Sequence, residues 1–264
     1  MTAPSLDEVL DILHEIAPLE LAAEWDNTGL LLQPNVRPRR VRRVLLAIDL
    51  QDATVQEARR VRADLVVAYH PPIFQPLRRL RTDDGKQRAL LAAAAAGVAV
   101  YSPHTALDAA PSGLADWLAE AVLGGDPPAE LRPCGDGDFG RVVRFERPLP
   151  FATLLQRLKR RFSVRHLQVA APAKPRRAVR SVGVAAGAGG SVLRGCGADV
   201  LVTGEMSHHD ALAAVAAGAT VVTAGHANTE RGFLAVLRKR LAAAFAGDLD
   251  VLVAKSERDP FVLA

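Results

Sequence analysis

Short apolar runs alternate with amphipathic stretches along most of the chain, and this alternation predicts its elements. Ser5 stands as the N-cap of an opening helix and Glu8 completes a capping box, with Val9, Leu10, Leu13 and Ile16 following at helical spacing. Beyond a loop around Trp25, Asp26 and Asn27, VLLAIDL (44–50) predicts a strand. A helix then begins near Asp52, and DLVVAYH (64–70) predicts the next strand. KQRALLAAAAAG continues as helix, VAVYSPH (98–104) as strand and GLADWLAEAVL (113–123) as helix. The strands are unbroken apolar runs, which suit a parallel sheet covered on both faces.

GGDPPAELRPCGDGDFG (124–140) interrupts the rhythm with Gly, Pro and Asp. It reads as a connection, about 126–140, between lobe one (about 1–125) and lobe two (about 141–264). The second series runs through RVVRFE, a helix near 152–161, VRHLQVAA, RSVGVAA and ADVLVTGE (198–205). It continues with a helix at about 208–217, ATVVTAGH (219–226), a long helix from about Asn228 to Phe245, and DVLVAKS. The expectation is an α/β fold of two lobes with largely parallel strands.

Composition narrows the function classes. With 264 residues, 49% of them hydrophobic, the chain can build one large core or two. No apolar run approaches the ~18–20 residues of a membrane span. Acidic residues threaded through the first helix argue against a secretion signal, so a cytoplasmic location is expected. Cys134 and Cys196 stand in unrelated surroundings and offer neither a disulfide framework nor a thiolate cluster. The net charge of +4 comes with basic clusters at 37–43, 78–81, 174–177 and 238–240, but aromatics make up only 5% of the chain. Without aromatics among the arginines for base stacking, a solvated basic face is favoured over a nucleic-acid groove.

Three histidines, His70, His104 and His226, fall at the carboxyl ends of predicted strands, where open α/β sheets place their ligands. Two carry an acid four residues on, as His104 with Asp108 and His226 with Glu230. Through a compact or helical turn, that spacing returns the carboxylate to the imidazole. Imidazole and carboxylate without thiolate suit zinc, manganese, iron or nickel, and bridging carboxylates suit a two-metal site that activates water for hydrolysis. Taken singly, each histidine is more simply a hydrogen-bonded structural residue, and each acid a first-turn helix acid. The joint pattern is what points to a metal centre. His208 and His209 follow another strand end, where Ser207 can cap a helix, and His209 is the candidate to face a substrate. His14 and His166 read as surface or packing residues. The glycines of VGVAAGAGG read as a tight turn rather than a nucleotide cradle. Asp26 and Asn27 either shape a cleft or form an Asx turn.

The blocks AEWDNTGLLL (23–32), DLVVAYHPPIF (64–74), VYSPHTALD (100–108), GADVLVTGEMSHHDAL (197–212) and GHANTERG (225–232) resemble, in order and spacing, the GTP cyclohydrolase I type 2 family, also called the Nif-three-like dinuclear-metal hexamer family. The resemblance implies a metal cleft between the lobes, two divalent ions per chain (zinc, iron or manganese) and a homohexamer. It makes His70, Asp108, His226 and Glu230 ligands, and His104 a ligand or an immediate neighbour. Tyr69 stands where many bacterial members have a further histidine, as in the branch with the eukaryotic proteins. Tyr69 either packs or contacts a bound water. The implied activity is hydrolysis of a nucleotide-like substrate, with His104 orienting water and His209 shuttling protons. The alternative is a non-catalytic metal-binding hexameric interaction module.

Overall fold

The computed structural model describes residues 3–34 and 40–261, so residues 37–39 of the first basic cluster lie outside the described residues. In chain order the elements begin with α1 (Leu6–Ile16), β1 (Gly29–Leu32), β2 (Arg43–Ala47), α2 (Asp52–Val61), β3 (Leu65–Ala68), α3 (Gly85–Ala95), β4 (Ala99–Ser102) and α4 (His104–Ala109). They continue with α5 (Leu114–Leu123), β5 (Pro128–Cys134), β6 (Gly140–Pro150), α6 (Phe151–Phe162), β7 (Gln168–Ala170), β8 (Ala178–Ala185) and α7 (Gly190–Leu193). The last are β9 (Val200–Thr203), α8 (His208–Ala216), β10 (Thr220–Thr223), α9 (Leu234–Ala244) and β11 (Asp250–Val253). The caps work as the sequence suggests. Ser5 Oγ accepts from Glu8 N–H at 3.2 Å while Ser5 N–H donates to the Glu8 carboxylate, and Ser207 Oγ accepts from Asp210 N–H.

The chain divides into two compact units, one of Met1–Leu107 with Leu234–Ala264 and the other of Asp108–Phe233. The first unit holds a five-stranded sheet in the order β1-β4-β3-β2-β11. Its β11, β2, β3 and β4 run parallel, and β1 lies antiparallel against β4. One face of β2, β3 and β4 (Leu45, Ala47, Val66, Ala68, Val100) packs on Val55 and Ala58 of α2 and on Ala89, Leu90 and Ala93 of α3. Strands buried on both sides need no polar alternation, which is why their sequences read as continuous apolar runs.

The second unit holds a six-stranded sheet in the order β5-β6-β8-β9-β10-β7. Here the expectation of largely parallel strands fails. Only β8, β9 and β10 run parallel; β5, β6 and β7 pair antiparallel. The cause lies in residues 124–140, read from sequence as a connection. They contain β5 and the turn of a β5–β6 hairpin, closed by Gly135, Gly137 and Asp138, all at positive φ. Turn chemistry and linker chemistry share the same composition, so sequence alone does not separate them.

Two further differences follow from packing. DVLVAKS and most of the last helix, read as part of lobe two, join the first unit because β11 pairs with β2 in register Asp250–Arg43 to Val253–Leu46. The helix expected from Asn228 begins only at Leu234. Before it run two short 3-10 turns, His226–Thr229 and Arg231–Phe233. Gly232 lies in the second turn, where a Cβ would come within 2.7 Å of the Trp117 ring. Among the described basic residues, Arg43 pairs with Asp250, Arg81 with Asp83 and Arg176 with Asp199. No helix among the described residues is long and apolar enough to cross a membrane. Both thiols are free, and burial pushes the Cys134 thiol up to about 11, which keeps it protonated and unreactive.

Candidate metal centre

In the first unit β3 and β4 are adjacent and parallel, so the residues just beyond them emerge side by side. His70 follows β3 by two residues and His104 follows β4 by two, and their ring centroids are 5.6 Å apart. Each imidazole is held by a carboxylate. His70 Nδ1 donates to Asp49 Oδ1 at 3.0 Å, and His104 Nδ1 donates to Asp26 Oδ1 at 2.8 Å.

His104 opens α4 at φ +32°, a left-handed conformation that costs a non-glycine residue of order 1 kcal/mol or more. Asp26 holds it there. Its side chain is fully buried and accepts from His104 and from both the N–H and the hydroxyl of Thr105. Burial alone would raise the Asp26 carboxyl, but the hydrogen bonds from His104 and Thr105 outweigh it and keep the group below its ordinary value.

Aromatic rings surround this pair. Tyr69 is buried, its ring 5.0 Å from His70 and 5.5 Å from His104. Strand alternation would send neighbouring side chains to opposite faces, but β3 ends at Ala68, so Tyr69 and His70 lie beyond its reach. Asn27 donates to the Ile73 carbonyl and ties the Trp25 loop to the loop after His70. Trp25 and Phe74 then meet at 5.9 Å beside His104, and both remain exposed, Trp25 at 63%.

In the second unit β10 ends at Thr223, and Gly225, at φ +89°, turns the chain into the 3-10 turn that opens on His226. His226 Nδ1 donates to Glu205 Oε1 at 2.9 Å, and its Nε2 lies 3.3 Å from Oε1 of the buried Glu230. The four-residue spacing therefore brings acid and imidazole together through a 3-10 turn. Two glycines leave room for this. A Cβ on Gly187, itself at φ +53°, would lie 2.6 Å from Glu230 Oε1 and 2.8 Å from His226 Nε2. A Cβ on Gly204 would lie 2.7 Å from His226 Cα. Gly187 N–H donates to Thr229 Oγ1, whose hydroxyl donates in turn to the His226 carbonyl. The glycine run is thus a tight turn, but one whose missing side chain opens space at two donor atoms.

Asp108 is buried in α4, one turn beyond His104. His208 and His209 are exposed in the first turn of α8, with ring centroids 5.5 Å apart.

One arrangement recurs at all three strand-end histidines. Nδ1 donates to a carboxylate, which makes Nε2 the lone-pair nitrogen and fixes the plane of the ring. Metal-ligating histidines are commonly oriented in this way. His70 in the first unit, and His226 with Glu230 in the second, present imidazole and carboxylate donors whose chemistry fits a divalent cation. The sequence reading missed Asp49 and Glu205. Each follows an apolar run, VLLAI and VLVTG, so the strand-end criterion that singled out the histidines would have found these acids too.

A family model described as Duf34/NIF3 (NGG1p interacting factor 3) matches residues 4–260. The chain is similar to Protein NIF3 homolog of Schizosaccharomyces pombe, 39% identical over 262 residues and 94% of each chain. It is also similar to NIF3-like protein 1 of Drosophila melanogaster, 38% identical over 97% of this chain and 88% of the fly protein. Its fold resembles that of a Bacillus cereus protein related to NIF3, with a TM-score of 0.84 over all of both chains at 20% identity. The likeness to eukaryotic relatives agrees with the branch that Tyr69-His70 suggests.

Proposed function

The chain belongs to the Duf34/NIF3 family, the GTP cyclohydrolase I type 2 family of the sequence reading, and from that premise we propose that it is a divalent-metal-dependent hydrolase of a nucleotide-like substrate. The observation that carries this reading is the carboxylate-oriented imidazole repeated at His70, His104 and His226. In this reading His70, Asp108, His226 and Glu230 hold two divalent ions, zinc, iron or manganese, and His104 ligates or orients water. When bound, such ions supply the Lewis acidity that activates water near neutral pH. His209, exposed at the start of α8, accepts and returns a proton at its imidazole. Trp25 and Phe74 offer apolar surface beside His104 for a planar ring. The chain assembles as a homohexamer.

Elemental analysis of untagged protein, paired with a turnover screen on GTP and phosphorylated heterocycles, tests the reading. The expected result is about two divalent ions per chain, as a two-metal site requires, and metal-dependent turnover. Glu230→Gln should lower both; unchanged metal content and turnover in that variant would defeat the assignment.

One observation favours a second reading, a non-catalytic metal-binding interaction module: the family description itself names an interaction with NGG1p. Tight metal binding with no turnover across the screen selects the module. Turnover abolished by Asp108→Ala selects the hydrolase.

A further inference from the structure

The segment that follows β11 is tied to the first unit by two carboxylates, and the tie ends at a metal-site residue. Beyond β11, Ala254 N–H still donates to the Leu46 carbonyl of β2. The next two amides, Lys255 and Ser256, both donate to the carboxylate of Glu57, a buried side chain on α2. Burial alone would raise the Glu57 carboxyl, but the bonds from Ser256 and Lys255 hold it below its ordinary value, as a charged acceptor. Arg258 then folds back onto the carbonyls of Lys255 and Glu257. This brings Glu257 to the end of β2, where its Oε1 accepts from Ile48 N–H at 2.8 Å and from Asp49 N–H at 2.7 Å.

Those two amides lie past the last β2–β11 pair, where ladder partners have run out. A backbone N–H left without an acceptor away from water is costly, and the Glu257 carboxylate serves both. The carbonyls of the same two residues are also engaged, Ile48 by His70 N–H at 2.9 Å and Asp49 by Thr54 Oγ1 at 2.9 Å. Ile48 and Asp49 are therefore held at every main-chain polar group. Asp49 is the residue whose side chain accepts from His70 Nδ1.

We propose that Glu257 is a positioning residue for His70: together with Glu57 it makes the segment after β11 a working part of the metal site, by fixing the backbone that carries Asp49. The inference rests on the metal-binding reading of His70. It concerns a residue more than two hundred positions from Asp49 in sequence, delivered by pairing of β11 rather than by any local motif. An amide oxygen can accept the same two N–H bonds, so glutamine should substitute for glutamate, whereas a one-carbon side chain should not.

The test uses the full chain, stripped of metal and titrated with zinc against a chromophoric chelator, with 15N spectra of the histidine rings recorded on the same samples. Glu257→Ala is expected to weaken zinc binding by about tenfold, the low end for an outer-shell change, and to move the His70 ring nitrogens. Glu257→Gln should retain wild-type affinity and the wild-type His70 signals. A destabilisation without a role at His70 would lower the melting temperature and leave the zinc affinity and the His70 signals unmoved. If Glu257→Ala does not fold, Glu257→Asp makes the same comparison, because the shorter side chain keeps the charge but brings no oxygen within reach of the two amides. Wild-type zinc uptake together with unchanged affinity and unchanged His70 signals in the alanine or aspartate variant overturns the inference alone. A wild-type chain that takes up no zinc overturns the metal reading and the inference with it.

Discussion

His104 in the first unit and His226 in the second are supported by the same hydrogen bond under opposite degrees of exposure. In the first, His104 leans on Asp26, whose side chain is fully buried and which gathers four hydrogen bonds from three residues. In the second, His226 leans on Glu205, whose side chain is 55% exposed. A buried, multiply bonded carboxylate contributes to folding as well as to ligand geometry, whereas a half-exposed pair contributes little to stability. His104 is secured by polar bracing against a strained backbone, while glycines open space around His226 and Glu230. The same ligand chemistry can therefore be coupled to folding or nearly uncoupled from it.

The largest test of that contrast is Asp26→Ala. Removing the shared acceptor leaves the His104 ring and two Thr105 donors unsatisfied around a non-glycine residue at φ +32°. The expected loss is about 2–4 kcal/mol of unfolding free energy, read by urea denaturation of metal-free protein. A loss below about 1 kcal/mol would remove the distinction between the two supports.

Gly187→Ala comes next. Its Cβ would sit against Glu230 and His226 on a backbone at φ +53°. Zinc affinity should fall by at least about tenfold while stability drops by about 1 kcal/mol, as seen by chelator competition and thermal melting. An alanine variant with wild-type affinity would show that the space is not used.

Glu205→Ala should separate the two quantities. Zinc affinity is expected to fall by about tenfold with under about 1 kcal/mol lost in stability. Equal losses in both would place Glu205 with Asp26.

The smallest effect is a pH dependence. A carboxylate whose folded pKa is depressed, as for Asp26, adds stability that is fully present above the unfolded value of about 3.9 and is lost as pH falls through the folded value. Metal-free Asp26→Asn should therefore lose less stability than wild type between about pH 5 and pH 3. Parallel acid limbs for the two proteins would argue against it.

Much of this is readable in the sequence, for identifiable reasons. The strands carrying His70, His104 and His226 announce themselves because a strand covered on both faces must be apolar throughout. The histidines stand out because they break those runs at the carboxyl end. Asp49 and Glu205 break their runs in the same way and become meaningful only when their partners are seen. Asp26, read as a cleft residue or an Asx turn, does accept locally from Asn27 N–H at its Oδ1, yet its larger role is the bond to His104, 78 residues away. The 124–140 segment went astray because Gly, Pro and Asp serve a hairpin turn as well as a linker.

The sequence by itself determined the α/β class, the cap of α1, the strand-end histidines and the spacing of Asp108 and Glu230, because each follows from local periodicity. Only the tertiary structure decided that β11 returns to the first sheet, that β5 and β6 form a hairpin, and which carboxylate orients which imidazole. Those outcomes depend on pairing between residues far apart in the chain, where the free energy comes from satisfied backbone groups and buried surface rather than from the preference of any one segment.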